Sequence, residues 1–146
     1  MREFVQIQFE DIEDLSQVEC AAFSQAWSSS YFRAVLAAPN VLCVGSVEGG
    51  ELGAYALGFV DTQCFRLSSI AVAPRLRRRG RGEALLRYTL AQAVDRGCAS
   101  ARLEVRASNR SALSLYQKMG FTSCQCLVKH YYDPIEDGLE LVLDLG

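Results

Sequence analysis

The spacing of apolar positions changes repeatedly along this chain, and each change marks an element. Phe4-Val-Gln-Ile-Gln-Phe9 alternates apolar and polar side chains and predicts a first strand. Ile12, Leu15, Val18 and Ala22 follow at helical spacing behind Asp11, a residue suited to cap the helix. Trp27-Ser-Ser-Ser30 opens a second short helix carrying Tyr31, Phe32, Val35 and Leu36, which Pro39-Asn40 stops. Val41 to Val47 reads as a strand, Glu48-Gly-Gly-Glu51 as a hairpin turn whose glycines accept positive φ, and Leu52 to Asp61 as the return strand. Cys64 to Ala73 is the next strand; Ser69, Ala71 and Ala73 alternate there with Ile70 and Val72, as in a strand buried on both faces.

After Gly82 the period becomes 3.6. Leu85, Leu86, Thr89, Leu90, Ala93 and Val94 fall on one stripe, and Arg96-Gly97 ends the helix. Ala101 to Arg106 alternates again, with Leu103 and Val105 opposite Arg102, Glu104 and Arg106. Ser108 or Asn109 caps a fourth helix, with Ala112, Leu115, Tyr116 and Met119 on its stripe. Gly120 closes it in the left-handed conformation and Phe121 folds back over it. Cys124 to Tyr132 and Leu139 to Leu145 complete the series. The order βααβββαβαββ implies an α/β (α+β) fold, a mixed and mostly antiparallel sheet of about seven strands flanked by four helices. Residues 1–146 read as one domain, with no repeat or linker.

Composition narrows the class. Half of the residues are hydrophobic and 22% are charged, as in a globular domain. No apolar run approaches the ~20 residues that span a bilayer. The start, Met1-Arg-Glu-Phe-Val-Gln-Ile, is charged and alternating, unlike a signal peptide, so a cytoplasmic location is expected. None of the six cysteines forms a C-x-x-C pair. Cys124 and Cys126, two apart on a strand, would share one face and make a poor start for a zinc site. Small buried hydrophobes in a reducing compartment, with no metal, is the reading they favour.

The candidate chemistry is concentrated between Leu67 and Leu86. A strand ends at Pro74, five arginines (75, 77, 78, 79, 81) follow, broken by Gly80 and Gly82, and a helix begins. A helix start offers free N–H groups and a positive dipole end. Glycines let a bulky anion approach them, and arginines add fork-shaped donors. The stretch therefore suits a pyrophosphate. It lacks the Lys of a Walker A loop and the third glycine of a dinucleotide fingerprint. A solvated arginine cluster or a nucleic-acid patch is the competing reading. With a formal net charge of −2 the positive charge is local, which fits a small polyanion better than a DNA footprint.

Arg77-Arg-Arg-Gly-Arg-Gly82, behind Ile70-Ala-Val-Ala-Pro74, resembles the acyl-coenzyme A pyrophosphate loop of the GCN5-related N-acetyltransferase superfamily. Asn109…Ala112…Leu115-Tyr-x-x-x-Gly-Phe121 resembles the same family's second block, and Leu103-Glu-Val-Arg-Ala-Ser-Asn109 its RimI-type branch, which acetylates the N-terminal alanine of a small-subunit ribosomal protein. Trp27-Ser28 and Tyr131-Tyr132 followed by Pro134, Asp137 and Gly138 resemble that branch too, although Ala26 stands where it often has proline.

The resemblance implies acetyl-coenzyme A as cosubstrate, held by Ile70, Ala71, Val72, Arg77, Arg78, Arg79, Gly80, Arg81, Gly82, Glu83 and Asn109. It implies a protein N-terminus as acceptor, lined by Trp27, Tyr131 and Tyr132, with Glu104 as base and Tyr116 as acid. The chemistry is consistent with those types. An α-ammonium of pKa ~7.7–8 must lose a proton, an oxyanion needs a backbone donor such as one in 70–72, and a departing thiolate can take a proton from a phenol. His130, the only histidine, is a rival base, though a surface or packing role is the favoured reading at a strand end. A lysine side chain, polyamine or other small amine is the alternative acceptor, and a coenzyme A-binding sensor or nucleic-acid module the non-enzymatic one. No nucleic acid or membrane partner, and a monomer or weak dimer, complete the expectation.

Overall fold

The computed structural model describes residues 2–77, 79–132 and 134–146. Seven strands form one sheet: β1 (Arg2–Gln6), β2 (Val41–Glu48), β3 (Glu51–Asp61), β4 (Cys64–Val72), β5 (Ser100–Arg106), β6 (Thr122–Tyr131) and β7 (Glu136–Asp144). Their spatial order is β1-β2-β3-β4-β5-β7-β6, and every pairing is antiparallel except β4 with β5. Four helices flank it: α1 (Ile12–Ala22), α2 (Ser29–Leu36), α3 (Arg81–Asp95) and α4 (Arg110–Lys118). The expected mixed α/β fold, with its element order, is the one observed.

Two cores lie on opposite faces of the sheet. Ile12, Leu15 and Val18 of α1 and Phe32 of α2 pack on Cys43, Tyr55, Leu57 and Ala71. Leu85, Leu86, Leu90 and Ala93 of α3 and Tyr116 of α4 pack on Leu42, Phe65, Leu67, Leu103 and Leu141. The helix caps follow local chemistry. The Ser28 hydroxyl accepts from the Tyr31 N–H at 3.1 Å, and Asn109 caps α4 through the Ala112 N–H at 3.2 Å. Gly120, at φ +100°, ends α4, and the Phe121 ring meets Tyr116 edge-on.

Several expectations need correction. The first strand lies at 2–6 rather than 4–9, because the chain turns into a 3-10 turn at Phe9, which is left half exposed. The Asp11 carboxylate accepts from the Gln8 N–H of that turn at 2.7 Å and does not bond the start of α1. Val94 is exposed, not part of the buried stripe. Of the six cysteines, Cys43 and Cys98 are buried and Cys20, Cys124 and Cys126 are exposed. A bulge between Ser123 and Gln125 also separates Cys124 from Cys126. Cys124 reaches Glu140 and Arg102 on the open face, while Cys126 pairs with Leu139, whose side chain turns to the α4 core.

The bulge that matters most falls in β4. Leu57 pairs with Ser69 and Gly58 with Leu67, so Ser68 is passed over. The alternation shifts by one there. Phe65 and Leu67 face α3 and α4 before it, Ile70 and Val72 after it, and Ala71 turns to the α1 side. Phe65, fully buried at the start of the β4–β5 pair, anchors this arrangement. Phe65→Ala is expected to lower unfolding free energy by ~3–5 kcal/mol, read as a fall in the urea midpoint at unchanged slope.

Candidate active site

Pairing between β4 and β5 stops at Leu67–Leu103. Beyond it β4 stays bonded to β3, and β5 stays bonded to β7 as far as Arg106. The facing edges have no ladder partner, and two clefts open where they part. One, of about 710 Å³, runs between α3 and α4 past Ile70, Val72, Gly82, Asn109 and Tyr116. The other, of about 550 Å³, lies between the α1–α2 and β6–β7 connections, lined by Glu19, Phe23, Trp27, Ser69, Arg106 and Glu136. Phe23 borders both, and Ser69 and Ile70 are consecutive, so the clefts meet at the parting of the strands.

The arginine loop closes one end of the larger cleft. Gly80 stands at φ +72°, a left-handed conformation that a Cβ would strain, and α3 begins at the next residue. The first-turn N–H groups of a helix have no internal partner and face an approaching anion. A Cβ on Gly82 would already touch Leu115 and Val72 at 3.7 Å, so a longer side chain would fill the gap between α3, α4 and β4. Arg77 lines the cleft and donates from Nε to the Val72 carbonyl at 3.1 Å. Arg79 is exposed, and Arg78 lies outside the described residues.

Arg81 and Glu83 present backbone here, because their side chains are engaged elsewhere. The Arg81 fork holds both Glu48 oxygens at 2.8 and 2.9 Å, which keeps the Glu48 carboxyl below its ordinary pKa. Glu83 bridges Lys118 at 2.8 Å and Arg87 at 3.0 Å, tying α3 to α4. The Asn109 oxygen is used in capping α4, and its amide nitrogen is left over for another partner. An open strand edge, a glycine-lined channel and a helix start with arginines fit the arm and diphosphate of acetyl-coenzyme A.

At the inner end stands Tyr116. Its ring is 6% exposed, and its hydroxyl makes no hydrogen bond to another described residue while lining the cleft. Burial, with a smaller contribution from Tyr131, pushes this phenol up to about 12. Glu104 is on the opposite face of the sheet, exposed, with its carboxylate 2.8 Å from His130 Nε2; it lines neither cleft. His130 is exposed, meets the candidate base through Nε2 and packs edge-on against Tyr131 at 4.9 Å. A register shift in β6, with Lys129 at φ +50°, brings His130 and Tyr131 together over Gly138, where a Cβ would lie 2.8 Å from the Tyr131 ring. Tyr131 is raised by burial first and by the Glu104 charge second. Tyr132 is 74% exposed beside them. Trp27 lines the smaller cleft, and its ring lies tilted against that of Tyr31 with 4.6 Å between centroids.

Sequence reasoning missed two parts of this site. Arg106 donates to the Tyr132 and Pro134 carbonyls at 2.6 and 2.9 Å and to Glu136 at 3.0 Å, and Glu136 accepts from the Ser108 hydroxyl at 2.9 Å. This network holds the β6–β7 connection over the smaller cleft. Glu19, 2% exposed, accepts from the Trp27 N–H at 2.9 Å and from the Tyr55 hydroxyl. One signal for it was available: residue 19 lies four after Leu15, so a carboxylate sits on the apolar stripe of α1, a place that demands a partner.

The geometry defines an acyl-coenzyme A-dependent transferase. Over residues 12–121 the chain matches the Acetyltransferase (GNAT) family, and it belongs to that family. It is an N-acetyltransferase with acetyl-coenzyme A as cosubstrate. The ribosomal protein bS18-alanine N-acetyltransferase of Escherichia coli strain K12 is 33% identical over 130 residues, spanning 89% of this chain and 86% of that protein. The N-alpha-acetyltransferase RimI of Mycobacterium tuberculosis strain H37Rv is 35% identical over 142 residues, spanning 93% and 88%. The crystal structure of the ribosomal-protein-S18-alanine N-acetyltransferase from Escherichia coli matches with a TM-score of 0.93 at 29% identity, covering 100% of this chain and 95% of that one. Among the described residues no group of three His, Cys, Asp or Glu side chains is placed to hold a metal ion, and no helix is long and apolar enough to cross a membrane.

The raised Tyr116 phenol has a consequence for stability. Below pH ~10 it is neutral in both folded and unfolded chains and contributes no pH dependence. Above that the unfolded chain ionises first, so stability falls as pH rises toward about 12. The decline owed to this group is roughly 1.4 kcal/mol at pH 11. Urea unfolding of Tyr116→Phe beside the parent at pH 9 and 11 should show the variant losing less by that amount.

Proposed function

We propose that this enzyme acetylates the N-terminal α-amine of a protein in the cytoplasm, with alanine as the first residue and a small-subunit ribosomal protein as the substrate. The observation that carries this reading is the parting of β4 from β5, which joins a channel suited to coenzyme A to an acceptor cleft walled by two connections. The relatives named for bS18 alanine, similar over nearly the whole chain, support the same acceptor.

Arg77, the Gly80–Glu83 amides and Asn109 hold the cosubstrate, with Arg78 and Arg79 adding positive charge; bound acetyl-coenzyme A supplies an activated acetyl thioester. The free edge of Ile70–Val72 provides a backbone donor for charge developing on the carbonyl oxygen. Glu104 takes the proton of the α-ammonium, directly or through a water, and His130 at 2.8 Å steadies that carboxylate. Tyr116, kept neutral by burial, carries the proton for the departing sulfur. Trp27, Tyr131 and Tyr132 line the path of the incoming N-terminus, where Arg106 fixes the connection that bears the tyrosines.

The test is thiol release from acetyl-coenzyme A with short peptides beginning Ala, Ser or Met, beside an N-terminally blocked lysine peptide. Turnover on the Ala peptide above the others is expected; turnover only on the lysine peptide would replace the acceptor class. Glu104→Gln is expected to lower kcat ~100-fold with acetyl-coenzyme A affinity unchanged, and an unaltered kcat would remove the base assignment.

A further inference from the structure

Three buried or half-buried groups join α1 to the point where the clefts meet. The Glu19 carboxylate bonds the Tyr55 hydroxyl, and that hydroxyl lies 2.9 Å from Ser69 Oγ. Tyr55 is wholly buried, with its ring edge-on to Phe32, and its phenol is raised by burial and then by the Glu19 bond, so it keeps its proton. Ser69 is half-buried and lines the acceptor cleft, one residue before the open edge of β4.

Proton counting gives this chain a direction. A carboxylate only accepts, and a tyrosine has one proton to give. The Tyr55 proton therefore lies on Glu19, and the Ser69 proton lies on Tyr55. The Ser69 oxygen is left with lone pairs toward the cleft and no proton to place there. The other Glu19 oxygen is taken by the Trp27 N–H at 2.9 Å, so Glu19 has no reason to turn away. A phenylalanine at 55 would fill the same space and leave the Trp27 bond intact; what the hydroxyl adds is a bond to the buried Glu19 carboxylate and the link to Ser69.

We propose that Glu19, Tyr55 and Ser69 form a directed hydrogen-bond chain whose end, the Ser69 oxygen, accepts an N–H of the acceptor amine and aims its lone pair at the thioester. Ser69 is a specificity and orientation residue for the amine, and Tyr55 and Glu19 are positioning residues acting through it. The inference rests on the smaller cleft being the acceptor site, as assigned above, and leaves the base assignment to Glu104.

The experiment compares the parent with Tyr55→Phe, Ser69→Ala, the double variant and Ser69→Thr, using whichever amine the parent turns over. Loss of one oriented hydrogen bond is expected to lower kcat/KM for the amine about tenfold in either single variant. The acetyl-coenzyme A dissociation constant should stay within about twofold, because no member of the chain lines the larger cleft. The double variant should fall no further than the singles, since both cut one chain, and Ser69→Thr should retain most of the rate. The proposal is overturned if folded Ser69→Ala or Tyr55→Phe keeps its amine kcat/KM within about twofold, or if the double variant falls by the product, roughly a hundredfold. Ser69→Ala leaves the buried Glu19–Tyr55 bond in place, so it decides the matter even where Tyr55→Phe folds poorly. A parent that acetylates only the lysine peptide would refute the α-amine reading while the same variants still judge the chain on that peptide.

Discussion

One broken pairing governs this molecule. Parallel strands that share a ladder satisfy each other's amides, and β4 and β5 do so for only four residue pairs. The bulge at Ser68 lets β4 follow β3 while β5 follows β7, so the sheet stays continuous at both sides and opens in the middle. An open edge inside a fold is costly unless something bonds it. On the function proposed above, acetyl-coenzyme A, elongated and amide-bearing, is the partner for that edge. The phase shift at the bulge has a second effect: it turns Ile70 and Val72 into the core on the α3 side and leaves Ser69 for the smaller cleft.

Around that opening the two sides are built from different materials. The larger cleft uses backbone: a left-handed glycine, a helix start and a strand edge, with the loop arginines only partly committed to it. The smaller cleft uses charged side chains in bonded groups, Glu19 with Tyr55 and Ser69 and Arg106 with Glu136 and Ser108, and a further bonded pair, Glu104 with His130, stands outside both clefts.

Much of this was legible along the chain. The element order, the glycine-arginine loop, the Asn109 cap and the Gly120 stop all arise from interactions within a few residues, where period and side-chain type suffice. Glu104 and Tyr116 could be singled out because they sit in recognisable blocks. The destinations of Arg81 and Glu83 could not be, since the Glu48 and Lys118 that hold them are more than thirty residues away in sequence. His130 was ambiguous for a like reason: its partner is on another strand, and the β6 register shift that brings it there has no local signature. The shared face expected for Cys124 and Cys126 failed on a similar bulge.

Sequence alone determined the class of fold and the strand, glycine-arginine loop and helix series, because helix periodicity, strand alternation and glycine conformation are local properties. Tertiary structure alone decided where β4 lets go of β5, which loop arginines line the larger cleft, and that a carboxylate on the apolar stripe of α1 would end at the smaller one. Those outcomes depend on which distant groups can satisfy a buried charge or an unpaired amide, and only the folded chain brings such groups within hydrogen-bond distance.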